Sequence, residues 1–170
     1  MKKVAFAISA LLFFGIIASA QTRSRQTAKH PPAKTTTSTA AAAAAVKTEG
    51  ATRVANQIKN LSTFLYLLGG VVHGIEAIDA SAKPGEQSPT NEKNKTQLRA
   101  SFTDFRVGLD ALEVHFRSTP ELQPYYVKLV GTASGAADAE AQAKAGQFNQ
   151  AGKTLLGVVG RLADVLVAMH

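Results

Sequence analysis

The side chains that could bind a metal ion are few and scattered along this chain. His73 and Glu76 are three residues apart, a spacing that places both on one face of a helix, where an imidazole and a carboxylate could share a metal ion. His115 falls on a different predicted helix, near the opposite end from His73, so it cannot supply a further ligand. We keep His73 and Glu76 as candidate metal ligands. The pattern favours a boundary histidine hydrogen-bonded to Glu76, and we predict neither a metal nor a cofactor.

The motifs of common enzyme classes are absent from the sequence. There is no Cys and no Gly-x-Ser-x-Gly nucleophile motif. The lack of Cys excludes disulfides, thiolate zinc sites and iron–sulfur clusters. Gly152-Lys153-Thr154 resembles the end of a phosphate-binding loop, but Gln147 stands where that motif requires its first glycine. We therefore predict no catalytic residues and a protein that is not an enzyme.

The first twenty residues have the three parts of a secretory signal peptide. Lys2-Lys3 is a positive start, Val4–Ala18 is an apolar run, and the small residues ending at Ala20 are typical of a cleavage site before Gln21. The alternative is a retained anchor, but an apolar run of about 15 residues is shorter than the roughly 20 that span a membrane. We predict export through the general secretory pathway to the periplasm or the exterior of a bacterium. No stable membrane span is expected after cleavage.

Most of the net charge of +7 lies in the first fifty residues. Residues 21–50 are rich in Thr, Ala, Pro and basic side chains and contain one large apolar residue, Val46. Because such a segment buries too little surface to offset its ordering entropy, we predict a disordered basic linker. It could contact anionic envelope polymers or serve only as a spacer. The remaining residues, 51–170, have nearly balanced charge, which argues against nucleic-acid binding.

Residues 51–170 are predicted to form an all-α domain. Apolar residues recur there every three or four positions, and prolines occur only at the expected ends of the repeats. The predicted helices lie near residues 52–82, 89–117, 120–145 and 147–169. Since the connections are short, sequential helices should be antiparallel neighbours. The predicted fold is therefore an antiparallel up-down-up-down four-helix bundle, preceded by the signal peptide (1–20) and the linker (21–50).

The apolar stripes also predict where the core lies. We expect Leu65, Phe105 and Leu162 at its centre. Several glycines lie inside the predicted helices, including Gly70 and Gly135, where each costs roughly 0.5–1 kcal/mol relative to alanine. Close helix packing is the favoured reason for them, and a kink or room for an apolar ligand is the alternative.

An exported four-helix bundle of this length resembles the architecture of cytochrome b562 and cytochrome c′. The stretch Ala139–Ala151, with Gly146 and Phe148 in its turn, is similar to a turn in those bundles. The resemblance implies haem binding. However, no Cys-x-x-Cys-His is present, and Met169, the only Met of the expected mature chain, lies beside the terminal His170.

Three functional interpretations follow, of which the least favoured is a hydrolase whose catalytic residues match no recognisable motif. The first is a non-enzymatic binding or cell-envelope component whose partner is an unidentified protein or envelope polymer. The alternative is a bundle that binds haem or a metal.

Overall fold

The structure, a computed structural model, describes residues 35–82 and 88–170. These residues are almost entirely helical and include no β-strand, which confirms the prediction of an all-helical protein. The helices are α1 (Thr35–Ser81), α2 (Pro89–Ser118), α3 (Gln123–Leu129), α4 (Thr132–Lys144) and α5 (Phe148–Ala168), with a short 3₁₀ helix at Pro120–Leu122. Helix α1 packs against α2 and α5, and α4 packs against the same two helices. This arrangement is compatible with a four-helix bundle.

Helix α1 begins much earlier than the sequence predicts. It starts at Thr35 rather than near residue 52, so residues 35–50 of the predicted linker are part of this helix. The predicted signal peptide, its cleavage site between Ala20 and Gln21, and the rest of the predicted linker lie outside the described residues.

The early start of α1 has a physical cause. Alanine has the highest helix propensity, and the alanine run joins a segment that is held by tertiary contacts. Gly50 is buried against Leu122 and Met169, and the Lys47 ammonium lies 5.7 Å from the centre of the Tyr125 ring. The linker prediction treated the alanine run as isolated, whereas it continues into a helix that packs against the rest of the protein.

The start of α2 follows the predicted capping chemistry. The Ser88 side chain accepts a hydrogen bond from the Asn91 backbone N–H, and Pro89 occupies the first helical position. Asn91 is itself buried, and its Nδ2 donates to the Ile75 carbonyl oxygen at 3.3 Å and to Asp79 Oδ1 at 2.6 Å. This amide therefore ties the beginning of α2 to the end of α1.

The predicted third helix, 120–145, is broken into three pieces, so the prediction of one continuous helix is wrong. Pro120 begins the 3₁₀ helix, and α3 ends at Leu129 before α4 resumes at Thr132. Gly131 has a φ of 91°, a left-handed conformation that glycine adopts without steric cost. The turn after α4 is as predicted, since Gly146 has a φ of 80° and acts as a C-terminal cap.

The core is built from the predicted apolar stripes, with two corrections. Leu162 is fully buried as expected, but Leu65 and Phe105 are only half-buried and pack at the edge of the core. Their places at the centre are taken by Phe102 and Leu109, which are fully buried. Every predicted stripe residue of α5 is buried: Phe148, Ala151, Leu155, Val158, Leu162, Val165 and Met169.

Close packing explains only some of the glycines. A Cβ atom on Gly135 would lie 2.9 Å from Val158 Cγ2, and one on Gly152 would lie 2.8 Å from Leu68 Cδ2. Both glycines therefore allow neighbouring helices to approach, as predicted. Other glycines, on the outer faces of α1 and α5, have no such neighbour and are described below.

Candidate binding surface

The outer face of α1 is largely apolar over about two turns, from Tyr66 to Gly74, where His73 is the exposed polar residue. Tyr66 is 85% exposed and Leu67 is 56% exposed. Beside them, a Cβ atom placed on Gly69, Gly70 or Gly74 would meet no heavy atom within 4 Å. No Lys, Arg, Asp or Glu occurs between Lys59 and Glu76. Because the outer face of a solvated helix normally carries charged side chains, this segment is unusual for a surface.

The apolar character of α1 is not accounted for by burial. Among the described residues, α1 over Thr39–Ser81 is the one helix that is long and apolar enough, by length and composition alone, to cross a membrane. Its most apolar 18 residues have a mean hydropathy of 1.5, yet only 22% of them are buried. In the core helix of a soluble protein most of such a window is buried, so much of the apolar character of α1 lies at the surface.

Helix α5 extends this surface. Gly152 contacts Leu68 and Leu65 of α1, and Leu156, one turn later on the same side of α5, is 62% exposed. Gly160, a further turn along, would also leave a Cβ atom in open space. We call Tyr66, Leu67, Gly69, Gly70, Gly74 and Leu156 the uncharged face. The exposed side chains of His73 on α1 and Lys153 on α5 border it.

The opposite side of the molecule carries a network of charges. Glu140 on α4 is only 7% exposed, and its carboxylate accepts hydrogen bonds from Thr103 at 2.8 Å and from Arg106 at 2.7 Å. Lys144 lies 2.6 Å from the same carboxylate, and Arg106 also pairs with Asp110 at 2.7 Å.

These bonds stabilise the charged form of Glu140. The hydrogen bonds from Lys144 and Thr103, together with that from Arg106, lower the pKa of Glu140 from 4.5 to about 2. Glu140 is a charged residue that is nearly buried, because its carboxylate lies between α2 and α4 and is bonded to Thr103 and Arg106 of α2.

Glu113 of α2 caps the beginning of α4. Its Oε1 accepts hydrogen bonds from Thr132 Oγ1 at 3.1 Å and from the Ala133 backbone N–H at 2.9 Å. Gly131 has no side chain with which to cap the helix, so the cap comes from a neighbouring helix. Arg161 of α5 donates to the Gly131 carbonyl oxygen at 3.1 Å. Glu113 of α2 and Arg161 of α5 thus both stabilise the break between α3 and α4.

Replacing Glu113 by Ala is expected to lower the free energy of unfolding by about 1 kcal/mol, because two donors at the start of α4 lose their acceptor. Urea denaturation followed by circular dichroism measures this loss. Asp104→Ala, at an exposed site on the same helix, is the control and should change stability by less than about 0.5 kcal/mol. Equal stability of the two variants would contradict the capping role.

The structure does not bring His73 and Glu76 together as a hydrogen-bonded pair. His73 is exposed, and Glu76 Oε1 instead accepts a hydrogen bond from Asn149 Nδ2 at 2.9 Å. No group of three or more His, Cys, Asp or Glu side chains suited to a metal ion occurs in the part of the chain that the structure describes. Glu76 therefore contributes to the contact between α1 and α5.

A shallow groove lies near Glu76 at one end of the helices. Asp79, Lys95 and Lys153 also line it, beside the first turn of α5. Lys95 forms ion pairs with Asp79 and Glu92, both at 3.0 Å, and hydrogen bonds to these two carboxylates raise the pKa of Lys95. Since charges of both signs line the groove and Lys95 is already paired, the groove specifies no ligand.

Of the surfaces described, only the uncharged face combines exposed large apolar side chains with open space at the backbone. Sequence reasoning missed it because it assigned the glycines of α1 to close packing inside the protein. The missing charge between residues 59 and 76 was the available signal. The chain matches no protein-family model, no curated protein and no solved structure.

Proposed function

We propose that this protein is an exported, non-enzymatic binding protein, built as an antiparallel up-down-up-down four-helix bundle, that binds its partner through the uncharged face. The observation that carries the proposal is the exposed apolar surface of α1 around Tyr66. Contiguous exposed apolar patches are rare on monomeric soluble proteins, and they mark sites of interaction with a partner.

The contacts between helices support the proposed topology. Along α1 and α2, Phe64 packs against Phe102 with ring centroids 5.2 Å apart, while Ile75, later in α1, meets Asn91, earlier in α2. As the residue numbers of the contacts increase along α1, they decrease along α2, which is the order expected of an antiparallel pair.

The other neighbouring pairs follow the same order. Helices α2 and α4 meet at Thr103–Glu140 and at Glu113–Ala133. Helices α4 and α5 meet at Gln142–Thr154 and Gly131–Arg161. Helices α5 and α1 meet at Met169–Gly50 and Asn149–Glu76. With α3 and α4 counted as one broken helix, these pairs support four antiparallel helices in sequence order.

Export rests on the sequence. The positive start at Lys2-Lys3, the apolar run and the small residues before Gln21 together support a cleaved signal peptide. A partner in that compartment would be a protein or another envelope component. The alternative of a haem- or metal-binding bundle has no support in the geometry of His73, which is exposed and is not paired with Glu76.

A photo-crosslinking amino acid placed at position 66 tests the binding surface. It is introduced in the full chain, expressed and exported in bacterial cells, in place of Tyr66. Val114, which is 52% exposed on α2, receives the same group as a matched control. We expect irradiation to produce a discrete adduct at position 66 and at least a several-fold weaker one at position 114. No excess of adduct at position 66 would contradict the proposed binding function.

A further inference from the structure

We propose that the partner of the uncharged face is a second copy of this chain, with the two copies packing α1 against α1 about a two-fold axis near Gly70. This inference rests on the proposed function and gives its binding surface a specific partner. It is supported by the shape, the charge and the area of the face.

The shape of the face is complementary to itself. Tyr66 and Leu67 project from α1, and about two turns further along, Gly74 leaves open space where a Cβ atom would lie. In a two-fold interface, if residue i of one copy contacts residue j of the other, then j also contacts i. An antiparallel crossing centred on Gly70 places Tyr66 of each copy opposite Gly74 of the other, so the tyrosine ring meets a glycine, and it places Leu67 opposite the exposed His73.

Among the described residues of one copy, no contact explains the cost of Gly70 and Gly74. Each interior glycine destabilises a helix by roughly 0.5–1 kcal/mol relative to alanine. Gly135 and Gly152 are accounted for by Val158 and Leu68, but a Cβ atom on Gly70 or Gly74 would meet none of the described residues within 4 Å. Close approach of a second helix backbone gives these two glycines a physical reason, since only glycine leaves room for it.

The charge of the face permits self-association. Two identical surfaces with a net charge repel each other, whereas α1 carries no Lys, Arg, Asp or Glu from residue 60 to residue 75. Glu140, Arg106 and their ionic partners lie between α2 and α4, on the other side of the molecule. An interface over those helices would have to remove these paired charges from water, which is costly, whereas the uncharged face requires no such desolvation.

The area available is at the lower limit for a specific dimer. Residues 60–75 of α1, which include the face and carry no Lys, Arg, Asp or Glu, are about 24 Å long, and two adjacent helices are about 20 Å wide. An interface over this whole stretch and the neighbouring side of α5 would cover about 500 Å² per copy, or about 1,000 Å² in total, near the minimum for a specific interface. We therefore expect a dimer that dissociates in the micromolar range rather than a permanent one.

Sedimentation equilibrium of the processed chain over about 1–500 μM tests the inference. We expect a reversible monomer–dimer equilibrium. Gly70→Leu should raise the dissociation constant at least tenfold while leaving the monomer folded, because the added side chain enters open space in the monomer. Leu67→Lys should have a similar effect. Val114→Lys is the control, because it also introduces a lysine at a half-exposed apolar residue but lies on α2, outside the face. It should leave the dissociation constant unchanged.

The outcomes separate this inference from the proposed function. A wild-type chain that remains monomeric up to 500 μM, or a dimer unaffected by both Gly70→Leu and Leu67→Lys, would overturn the inference. An adduct at position 66 to a different protein, or to lipid, would also overturn it, yet would leave the proposed binding surface in place. The same crosslink joining two copies of the chain would support both.

Discussion

Replacing Phe102 by Ala is expected to lower the free energy of unfolding by about 3–5 kcal/mol. Phe102 is fully buried, and its ring meets that of Phe64 edge-to-face, with centroids 5.2 Å apart and planes at 88°. Truncation removes the buried ring and leaves a cavity between α1 and α2 that a well-packed core closes only in part. Urea unfolding monitored by circular dichroism provides the measurement.

Phe105→Ala is the matched control for this variant. Phe105 also contacts Phe64, with ring centroids 4.9 Å apart, but it is only half-buried at the edge of the core. The same truncation therefore removes less buried surface and should cost less than Phe102→Ala. A larger loss for Phe105→Ala would contradict the placement of these two rings.

Replacing Glu140 by Gln is expected to destabilise the protein by about 1–3 kcal/mol. The substitution weakens charge-assisted hydrogen bonds from Arg106 and Lys144, and it leaves these donors facing a neutral amide. Asp138→Asn, at an exposed site on the same helix, makes the same kind of change and is expected to have a smaller effect. Thermal and urea unfolding at neutral pH measure both variants.

The pH dependence of the free energy of unfolding provides a second measurement of the stabilisation by Glu140. Its pKa is lowered from 4.5 to about 2 in the folded protein, so the unfolded state binds the proton more tightly. The stabilisation is fully present above pH 4.5 and is lost as the pH falls towards 2. The wild type should therefore lose more stability across this window than Glu140→Gln does. Parallel pH profiles for the two proteins would contradict the lowered pKa.

The sequence predicted the regular part of the fold well. Proline positions and apolar spacing predicted α2 and α5 to within about a residue at each end, a favourable outcome for boundaries that are usually uncertain. The centre of the core was less well predicted. A 3.5-residue repeat drifts around a 3.6-residue helix, so residues such as Leu65 and Phe105 can fit the repeat and still face the edge.

The features that sequence reasoning missed depend on tertiary contacts. The start of α1 depends on Gly50 fitting against Leu122, and the break at Gly131 depends on caps from Glu113 and Arg161. The burial of Glu140 depends on partners more than thirty residues away in the chain. None of these contacts leaves a periodic trace in the sequence. The uncharged face does leave a signal, the absence of Lys, Arg, Asp and Glu from residue 60 to residue 75, but the sequence prediction assigns the glycines there to internal packing.

The contact between Gly50 and Met169 has a consequence for how the chain reaches its fold. A Cβ atom on Gly50 would lie 3.2 Å from Met169 Cε, so α1 and the residue that follows α5 together complete one end of the core. Contacts between distant parts of a chain form late, because a long loop must close first. This end of the core is therefore expected to close late in folding, after the hairpin of α1 and α2 has formed.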